Sequence, residues 1–498
     1  MRRVLMMGPV IGLALALSGA VAGAAMTAST AARADEERRF TPKELRGDFA
    51  ALYDGLKSAH VDLTAFTPKT ELDRAYAKFQ AGLDKPMTRF EAELRFEEFA
   101  SLAHMGHTRV DFDYAVWRDY RKGGGKAFPL SIRAVNGRTF VAQNLSGEAA
   151  VVPGDEIAAM NGQPMADWLA RAERHVSAET PYMAHSLMEY DFAVYVWVEL
   201  GAVDGFDLSL RHGDGKAYSL RVPARRLDEM KAFAAAQPAP LDLDTPMREA
   251  KILAGNVAYL RPGPFYNADA KTGAEEWDVA GFKSFIDDSF ARFLAAKCDR
   301  LIVDLRGNPG GDNLFSDVMI AWFATRPFKF FSQFKVRVSP QSTAANADRI
   351  KNDAEAAGPV SRQYARMYAG AKNGALVDFE MQPAEPRSGQ RYTGKVFLLV
   401  DRQSYSNTVS VAALVQDYKF GTVLGEETSD MATAHGAMEK FTLPVTGIQV
   451  GYPKALIVRP NGDPKPRGVV PDIAIAIPAV QTAADPVLQQ VVAIALGH

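Results

Sequence analysis

Ser406 lies in a stretch whose residue types could do chemistry. The stretch "DRQSYSNTVSVAALVQD" (401–417) follows the apolar run "GKVFLLV" and continues into a long apolar segment. The first run predicts a strand buried on both faces, and the second predicts a buried helix. Ser406 is therefore expected in a strand-to-helix turn. A serine in such a turn either caps the helix with its hydroxyl or attacks a substrate with it.

A second stretch, "LIVDLRGNPGGDNLFSD" (301–317), places glycines where another buried strand leads into a helix. Glycine permits backbone conformations and close approaches that other residues resist. The backbone N–H groups at the head of the following helix favour negative charge, which could be an oxyanion or a phosphate. A phosphate-binding loop would continue with GK[ST], and no lysine follows here.

The histidine with the most informative context is His107, in "LAHMGHTRV". Helical spacing gives way there to the alternation of "TRVDFDY" (108–114), which predicts a strand. A histidine at this break could be structural, or a general base. His104 and His107 could share a helical face as metal ligands, but no acidic or cysteine motif accompanies them, so no metal or other cofactor is expected.

Composition and periodicity divide the chain into segments. Its 498 residues are 47% hydrophobic, which predicts about three globular units. The predicted segments are an N-terminal helical domain (35–112), a β-rich domain with "NG" turns (127–226), a proline-containing linker (227–250), a core of alternating strands and helices (251–480) with an inserted excursion (340–390), and a C-terminal helix (481–498). The alternation predicts an α/β core with a mostly parallel sheet and helices packed on it.

The N-terminus predicts export. "MRR" precedes a long apolar run, and Ala32-Arg33-Ala34 fits a cleavage site, so residues 1–34 are interpreted as a signal peptide leading to the periplasm or the exterior. The alternative is a membrane anchor that is retained. Cys298 is the only cysteine, which excludes an internal disulfide, and the net charge of −2 argues against nucleic acid as a partner.

Several motifs in order resemble a known family. "DLRGNPGG", "SYSNTVSVAALVQD", "TVLGEET" and "GVVPD", spread over roughly 250–475, resemble the core of the tail-specific, or C-terminal processing, peptidases of family S41. The resemblance implies a crotonase/ClpP-like β-α core. It also implies Ser406 as nucleophile, and an oxyanion hole built from the N–H groups of Gly310 or Gly311 and of Asn407. Separately, "VVPGDEIAAMNGQPM" is similar to PDZ modules, which capture peptide ends along a strand edge.

The resemblance also bears on the base. Many members of the family use a lysine that would fall on Met431 here, and methionine cannot accept a proton. "GHT" resembles the His-containing segment of the branch that includes the tricorn core protease and the retinoid-binding repeats, which implies His107 as base. That branch has a glutamate just before "GVVPD", where Lys465 stands. The acid that orients the base is left open among Asp463, Glu426 and Glu427.

These expectations converge on an exported serine peptidase that acts on peptides or unfolded protein C-terminal ends through an acyl-enzyme. One alternative is a catalytically weak or inactive relative that binds apolar ligands or peptides. Another is acyl transfer on a non-peptide substrate, since the core also resembles the crotonase fold. The oligomeric state is not predicted.

Overall fold

The computed structural model of the chain describes residues 38–237, 248–271, 275–352, 359–480 and 484–498. The predicted signal segment lies outside these residues. None of the helices within them combines the length and apolar character needed to cross a membrane.

The described chain begins with helices. They are α1 (Pro42–Ala59), α2 (Lys69–Gly82), α3 (Arg89–Ala100) and, after a 3₁₀ turn at Ser101–Ala103, α4 (Tyr114–Lys122). α1 and α3 each start with a capping box, in which Thr41 and Thr88 exchange hydrogen bonds with the glutamate three residues later. Their apolar faces share a core with Val450 and Tyr452 from near the other end of the chain.

The strand predicted at 108–114 is wrong. Only an isolated bridge forms there, between Arg109 and Gly451, and α4 already begins at Tyr114. The N–H groups of Val110 and Asp113 donate to the carboxylates of Glu97 and Glu93 instead of to a neighbouring strand. Buried side-chain acceptors thus replace the ladder that the alternating pattern predicted.

An antiparallel sheet follows. Its elements are β1 (Leu130–Val135), β2 (Arg138–Asn144), β3 (Glu156–Met160) and β4 (Gln163–Pro164), then α5 (Met165–Glu173), α6 (Pro181–Met188) and α7 (Phe192–Leu200), then β5 (Gly205–Arg211) and β6 (Ala217–Pro223). The strand order is β1-β2-β3-β5-β6, with β4 paired to β3. Asn136 and Gly137 both have positive φ in the tight turn between β1 and β2, the conformation that favours Asn-Gly.

The predicted linker 227–250 contains regular structure at both ends. It starts with α8 (Leu227–Ala235), and β7 (Glu249–Leu253) begins within it. Residues 238–247 lie outside the described residues.

The remaining elements form two further sheets and their helices. In chain order they are β8 (Val257–Arg261), α9 (Ala280–Ala295), β9 (Arg300–Asp304), α10 (Asn313–Ile320), β10 (Gln333–Arg337), α11 (Pro340–Asn352), α12 (Pro359–Gly370), β11 (Leu376–Asp378), β12 (Lys395–Val400), α13 (Asn407–Tyr418), β13 (Thr422–Gly425), β14 (Ala434–Thr442), β15 (Gln449–Val458), β16 (Ile473–Ala474) and α14 (Pro486–Leu496). One sheet has the order β16-β13-β12-β9-β8-β7 and the other the order β11-β10-β15-β14.

The larger of these sheets positions the candidate site. Its strands are parallel except for β7, which confirms the prediction of a mostly parallel sheet. Leu301, Val303 and Leu398 point into a core with the helices on one face, whereas Ile302 and Leu399 pack with α14 on the other. Because parallel strands end at the same edge, the loops after β9 and β12 meet there.

The predicted excursion 340–390 supplies the edge strand β11 of the smaller sheet and also packs on that sheet. Tyr364 and Phe379 share a core with Val336 of β10. Glu439 of β14 lies between Arg349 of the excursion and Lys454 of β15, with Oε1 2.6 Å from the Lys454 Nζ. This ion triplet and the shared core hold the excursion on the sheet.

Candidate active site

The turn that carries Ser406 runs from the end of β12 to the start of α13. Ser406 has φ 54° and ψ −124°, a backbone conformation that residues other than glycine rarely adopt. The side chain occupies the N-cap position yet makes no capping hydrogen bond. The residue is half-buried. The strained turn therefore presents an uncommitted hydroxyl, as a nucleophile elbow does.

The loop after β9 is tied to this turn. The Gly307 N–H donates to Asp401 Oδ1 at 3.1 Å, and the Tyr405 N–H donates to the Asn308 carbonyl at 2.9 Å. The base of the loop is held by Arg306, whose guanidinium bonds Asp304 and Asp485 at 2.6 Å each. These contacts fix the glycine loop and the serine turn against each other.

Gly310 and Gly311 adopt conformations that require glycine. Their φ angles are 91° and 136°. A Cβ on Gly310 would lie 2.6 Å from the Tyr405 carbonyl oxygen and 2.9 Å from the Ser406 Cβ, and a Cβ on Gly311 would lie 2.2 Å from the Phe265 carbonyl oxygen. The loop backbone can therefore reach the serine only because these positions lack side chains.

The three backbone amides predicted for the oxyanion hole differ in availability. The Gly310 N–H donates to Asn308 Oδ1 at 3.0 Å. Within the described part of the chain, the N–H groups of Gly311 and Asn407 have no acceptor. Asn407 is also the first residue of α13, where the helix dipole favours negative charge. Two of the predicted donors are thus free and one is engaged.

The structure brings His107 to the serine turn. Its ring centroid lies 6.3 Å from that of Tyr405, the residue before Ser406, with 27° between the planes. The ring interacts with the backbone carbonyl of His435, while Nδ1 is sealed from solvent without a partner. Burial, with the positive charge of Arg109 nearby, lowers the pKa of His107 to about 4. The imidazole is therefore neutral at pH 7 and able to accept a proton.

The acids considered from the sequence are engaged away from His107. Glu426 accepts hydrogen bonds from Arg402 at 2.7 Å and from Arg133 at 3.0 Å. Asp463 accepts from the Lys465 N–H at 3.1 Å. Glu427 is exposed. Glu426 and Asp463 are therefore committed to other partners.

Two buried carboxyls at the site escaped the sequence reasoning. Asp430 Oδ2 accepts the Ser406 N–H at 2.6 Å, and Glu179 Oε2 accepts the Gly106 N–H at 3.1 Å. Burial raises the pKa of Asp430 to about 6; burial and the nearby Asp430 raise the pKa of Glu179 to about 8. Asp430 lies two residues after "GEET" and could have been found by its position. Glu179 lies in no motif, so nothing in the sequence marked it.

The described residues show no cluster of potential metal ligands. They contain no group of three or more His, Cys, Asp and Glu side chains arranged to hold an ion. Cys298 is buried and unpaired.

Comparisons with known proteins identify one family profile and several solved structures that the chain resembles. The sequence profile of Peptidase family S41 matches residues 265–475. Mature CPAF matches with a TM-score of 0.60 at 16% identity, over 87% of this chain and 92% of that one. Mature CPAF complexed with lactacystin matches with a TM-score of 0.59 at 15% identity, over 87% and 94% of the two chains.

These structural likenesses concern the fold, which the chain shares over most of its length. No curated protein sequence matches the chain. The family match covers β9, the glycine loop, β12 and the Ser406 turn. Over residues 265–475, this chain carries a domain of peptidase family S41.

Proposed function

We propose that the protein is an exported serine peptidase that hydrolyses peptides or unfolded protein C-terminal ends through an acyl-enzyme. Ser406 is the nucleophile and His107 is the general base. The observation that carries this proposal is the strained Ser406 turn, whose hydroxyl caps nothing although it stands at a helix N-terminus. A strained conformation costs of order 1–3 kcal/mol and persists where it serves a function.

The chemistry follows from the groups around that hydroxyl. Neutral His107 takes the Ser406 proton as Oγ attacks the substrate carbonyl. The N–H groups of Gly311 and Asn407 receive the negative oxygen of the tetrahedral intermediate. Gly310, whose N–H is held by Asn308, shapes the loop that supplies them. The imidazolium then protonates the leaving amine, and water hydrolyses the acyl-enzyme by the same route in reverse.

Substrate capture is assigned to the antiparallel sheet of 127–226. Its PDZ-like turn sequence and open strand edges suit an extended peptide that adds as a further strand. Export is assigned to residues 1–34, and N-terminal sequencing of the mature protein would detect any start other than Asp35.

A fluorophosphonate probe tests the nucleophile. We expect the wild type to label covalently, Ser406→Ala to lose all labelling, and His107→Ala to label at least about 100-fold more slowly because the base is gone. Ser410→Ala is the matched control, since Ser410 lies one turn along α13 and should not affect labelling.

Labelling that persists in Ser406→Ala would place the nucleophile elsewhere. Uptake of fluorescent apolar ligands by a wild type that neither labels nor cleaves unstructured casein would favour the binding protein instead.

A further inference from the structure

Around Gly106 lie three polar atoms that are sealed from solvent and have no partner among the described residues. They are His107 Nδ1, Glu179 Oε1 and Tyr405 Oη. A methyl group on Gly106 would lie 3.3 Å from Tyr405 Oη and 3.4 Å from Glu179 Oε2. The Gly106 N–H itself donates to that same Oε2. The unpartnered atoms therefore belong to one small region beside the candidate base.

Such a concentration calls for a function. A buried donor or acceptor without a partner is costly, so native proteins rarely leave several together. The three atoms are also chemically complementary, because a carboxyl oxygen can share a proton with an imidazole nitrogen and a phenol can donate to either.

The other carboxyl at the site is already occupied. Asp430 accepts the Ser406 N–H through Oδ2 and the Met431 N–H through Oδ1. Its role is to hold the nucleophile turn. Glu179 differs because one oxygen is anchored by the Gly106 N–H and the other is free. This hydrogen bond fixes the Glu179 carboxyl beside Gly106, the residue that precedes His107.

We propose that Glu179 is the positioning residue for His107, sharing a proton between Oε1 and Nδ1 and leaving Nε2 to serve Ser406. The inference rests on the proposed peptidase function. Tyr405 donates its hydroxyl to the same carboxyl. The hydrogen bond between Glu179 Oε1 and His107 Nδ1 forms when substrate binds, because catalytic hydrogen bonds are often long in free enzymes and tighten in the complex.

The proton count of the pair sets the active form. In the active form the Glu179 carboxyl is ionised and the His107 imidazole is neutral. The carboxylate then accepts from Nδ1–H, and the Nε2 lone pair is free. Taking the Ser406 proton then creates an imidazolium that the carboxylate stabilises. Without a carboxylate, the imidazolium would lie near the positive charge of Arg109 and the neutral His435 carbonyl.

Other charged groups face this pair. They are Asp430 beside Glu179, Arg109 and His435 beside His107, and Asp430, Arg109 and Asp111 beside Tyr405. Asp430 disfavours ionisation of Glu179, whereas Arg109 disfavours the imidazolium. The carboxyl of Glu179 therefore ionises only near pH 8, and this ionisation limits formation of the active pair at neutral pH.

The experiment measures kcat and KM for cleavage of labelled casein from pH 5 to 9.5. In the wild type we expect kcat/KM to rise through an apparent pKa near 8. In Glu179→Gln we expect kcat to fall by about 100-fold with KM unchanged, and the rise near pH 8 to vanish. Glu179→Asp should keep the rise with a lower kcat, because its carboxylate is one methylene farther away.

Glu93→Gln is the matched control. Glu93 is another buried carboxyl that accepts a backbone N–H, from Asp113 at 2.7 Å, and burial raises its pKa to about 7. That variant should keep the wild-type kcat and pH profile. If Glu179→Gln does not fold, Glu179→Asp decides through its kcat.

Two failures are distinguishable. A wild type that shows no Ser406-dependent cleavage overturns the proposed function. An active wild type whose kcat and pH profile are unchanged in Glu179→Gln, or whose kcat is unchanged in Glu179→Asp, overturns the role of Glu179 alone.

Discussion

The two sides of the candidate site are built differently. On the nucleophile side, neighbours in sequence make the geometry: Asn308 holds the Gly310 amide, and Asp401 accepts from Gln403 two residues later. On the base side, the contacts are long-range, as between Gly106 and Glu179, which are 73 residues apart. Local backbone conformation, tied by the long-range Gly307–Asp401 bond, thus positions the serine, whereas tertiary packing positions the histidine.

The electrostatics of the two sides differ as well. On the nucleophile side Asp304 is buried but paired with Arg306, so its pKa stays below the ordinary value. On the base side Glu97 and Glu179 accept backbone N–H groups without a directly paired cation, and burial raises the pKa of each to about 8. Burial also raises the pKa of Asp430, which lies where the two sides meet, and of Asp401 and Asp317 on the nucleophile side. At neutral pH Glu97 and Glu179 of the base side therefore hold protons that Asp304 of the nucleophile side has released.

The largest effect on the free energy of unfolding is expected from Arg402, which links the two sides of the site. Arg402, just after β12, bonds Glu426 at 2.7 Å and reaches across to Glu189 at 3.0 Å and to the Ala134 carbonyl at 2.6 Å. Arg402→Met leaves the carboxylates of Glu189 and Glu426 with Arg133 as their one remaining ion-pair partner among the described residues, and the Ala134 carbonyl loses this donor. We expect the free energy of unfolding in urea to fall by about 3–5 kcal/mol.

Arg221→Met is the control for that loss. Arg221 pairs with Asp207, but both side chains are more than half exposed, so the free energy of unfolding should change by less than about 1 kcal/mol. Equal losses in the two variants would show that the buried cluster does not join the sides.

A smaller but more local effect is expected from Gly310→Ala. The added Cβ would meet the Tyr405 carbonyl oxygen at 2.6 Å, and φ of 91° is unfavourable for alanine. The glycine loop must then move away from Ser406, carrying the Gly311 amide with it. We expect the rate of fluorophosphonate labelling to fall by about 100-fold, as when an oxyanion donor is lost.

Gly281→Ala separates this effect from a general response to alanine. Gly281 lies in α9, where a Cβ would meet nothing within 4 Å. Labelling should be unchanged, and helix propensity should raise the free energy of unfolding by about 0.5–1 kcal/mol. Normal labelling of Gly310→Ala would mean that the loop does not support the nucleophile.

The same contrast explains what the sequence could predict. The parallel sheet, the strand-to-helix turn at Ser406 and the glycine loop follow from runs of neighbouring residues. Their conformations are set by which residues fit a buried strand or a positive φ. A single sequence carries that information directly.

What the sequence missed depends on distant partners. The alternation at 108–114 indicated a strand, but carboxylates of Glu93 and Glu97 took the N–H groups that would have formed its ladder. The apolar faces of α1 and α3 predicted burial without indicating that Val450 would cover them. Glu179 was missed for the same reason, because its importance comes only from the side chains that folding brings around it.

The smallest expected effect is a difference in how carboxyls on the two sides make the free energy of unfolding depend on pH. Glu97 has a folded-state pKa of about 8 against an ordinary 4.5, so between these values the folded chain binds a proton that the unfolded chain releases. Its contribution to stability is complete below pH 4.5 and is lost as pH rises toward 8. From about pH 7.5 to 8 the histidines with lowered pKa are neutral in the folded state and nearly neutral in the unfolded state, so they contribute little to this slope. We expect the free energy of unfolding to fall over that range, by at most about 1.4 kcal/mol per pH unit for each such proton.

Two variants test which side of the site causes the free energy of unfolding to fall with pH. Glu97→Gln should make the decline shallower, because an amide has no proton to release. Asp304→Asn should lower the free energy of unfolding at every pH and leave the slope unchanged, because Asp304 is ionised in both states throughout this range. A slope that responded to Asp304 and not to Glu97 would reverse the assignment of the protons to the base side.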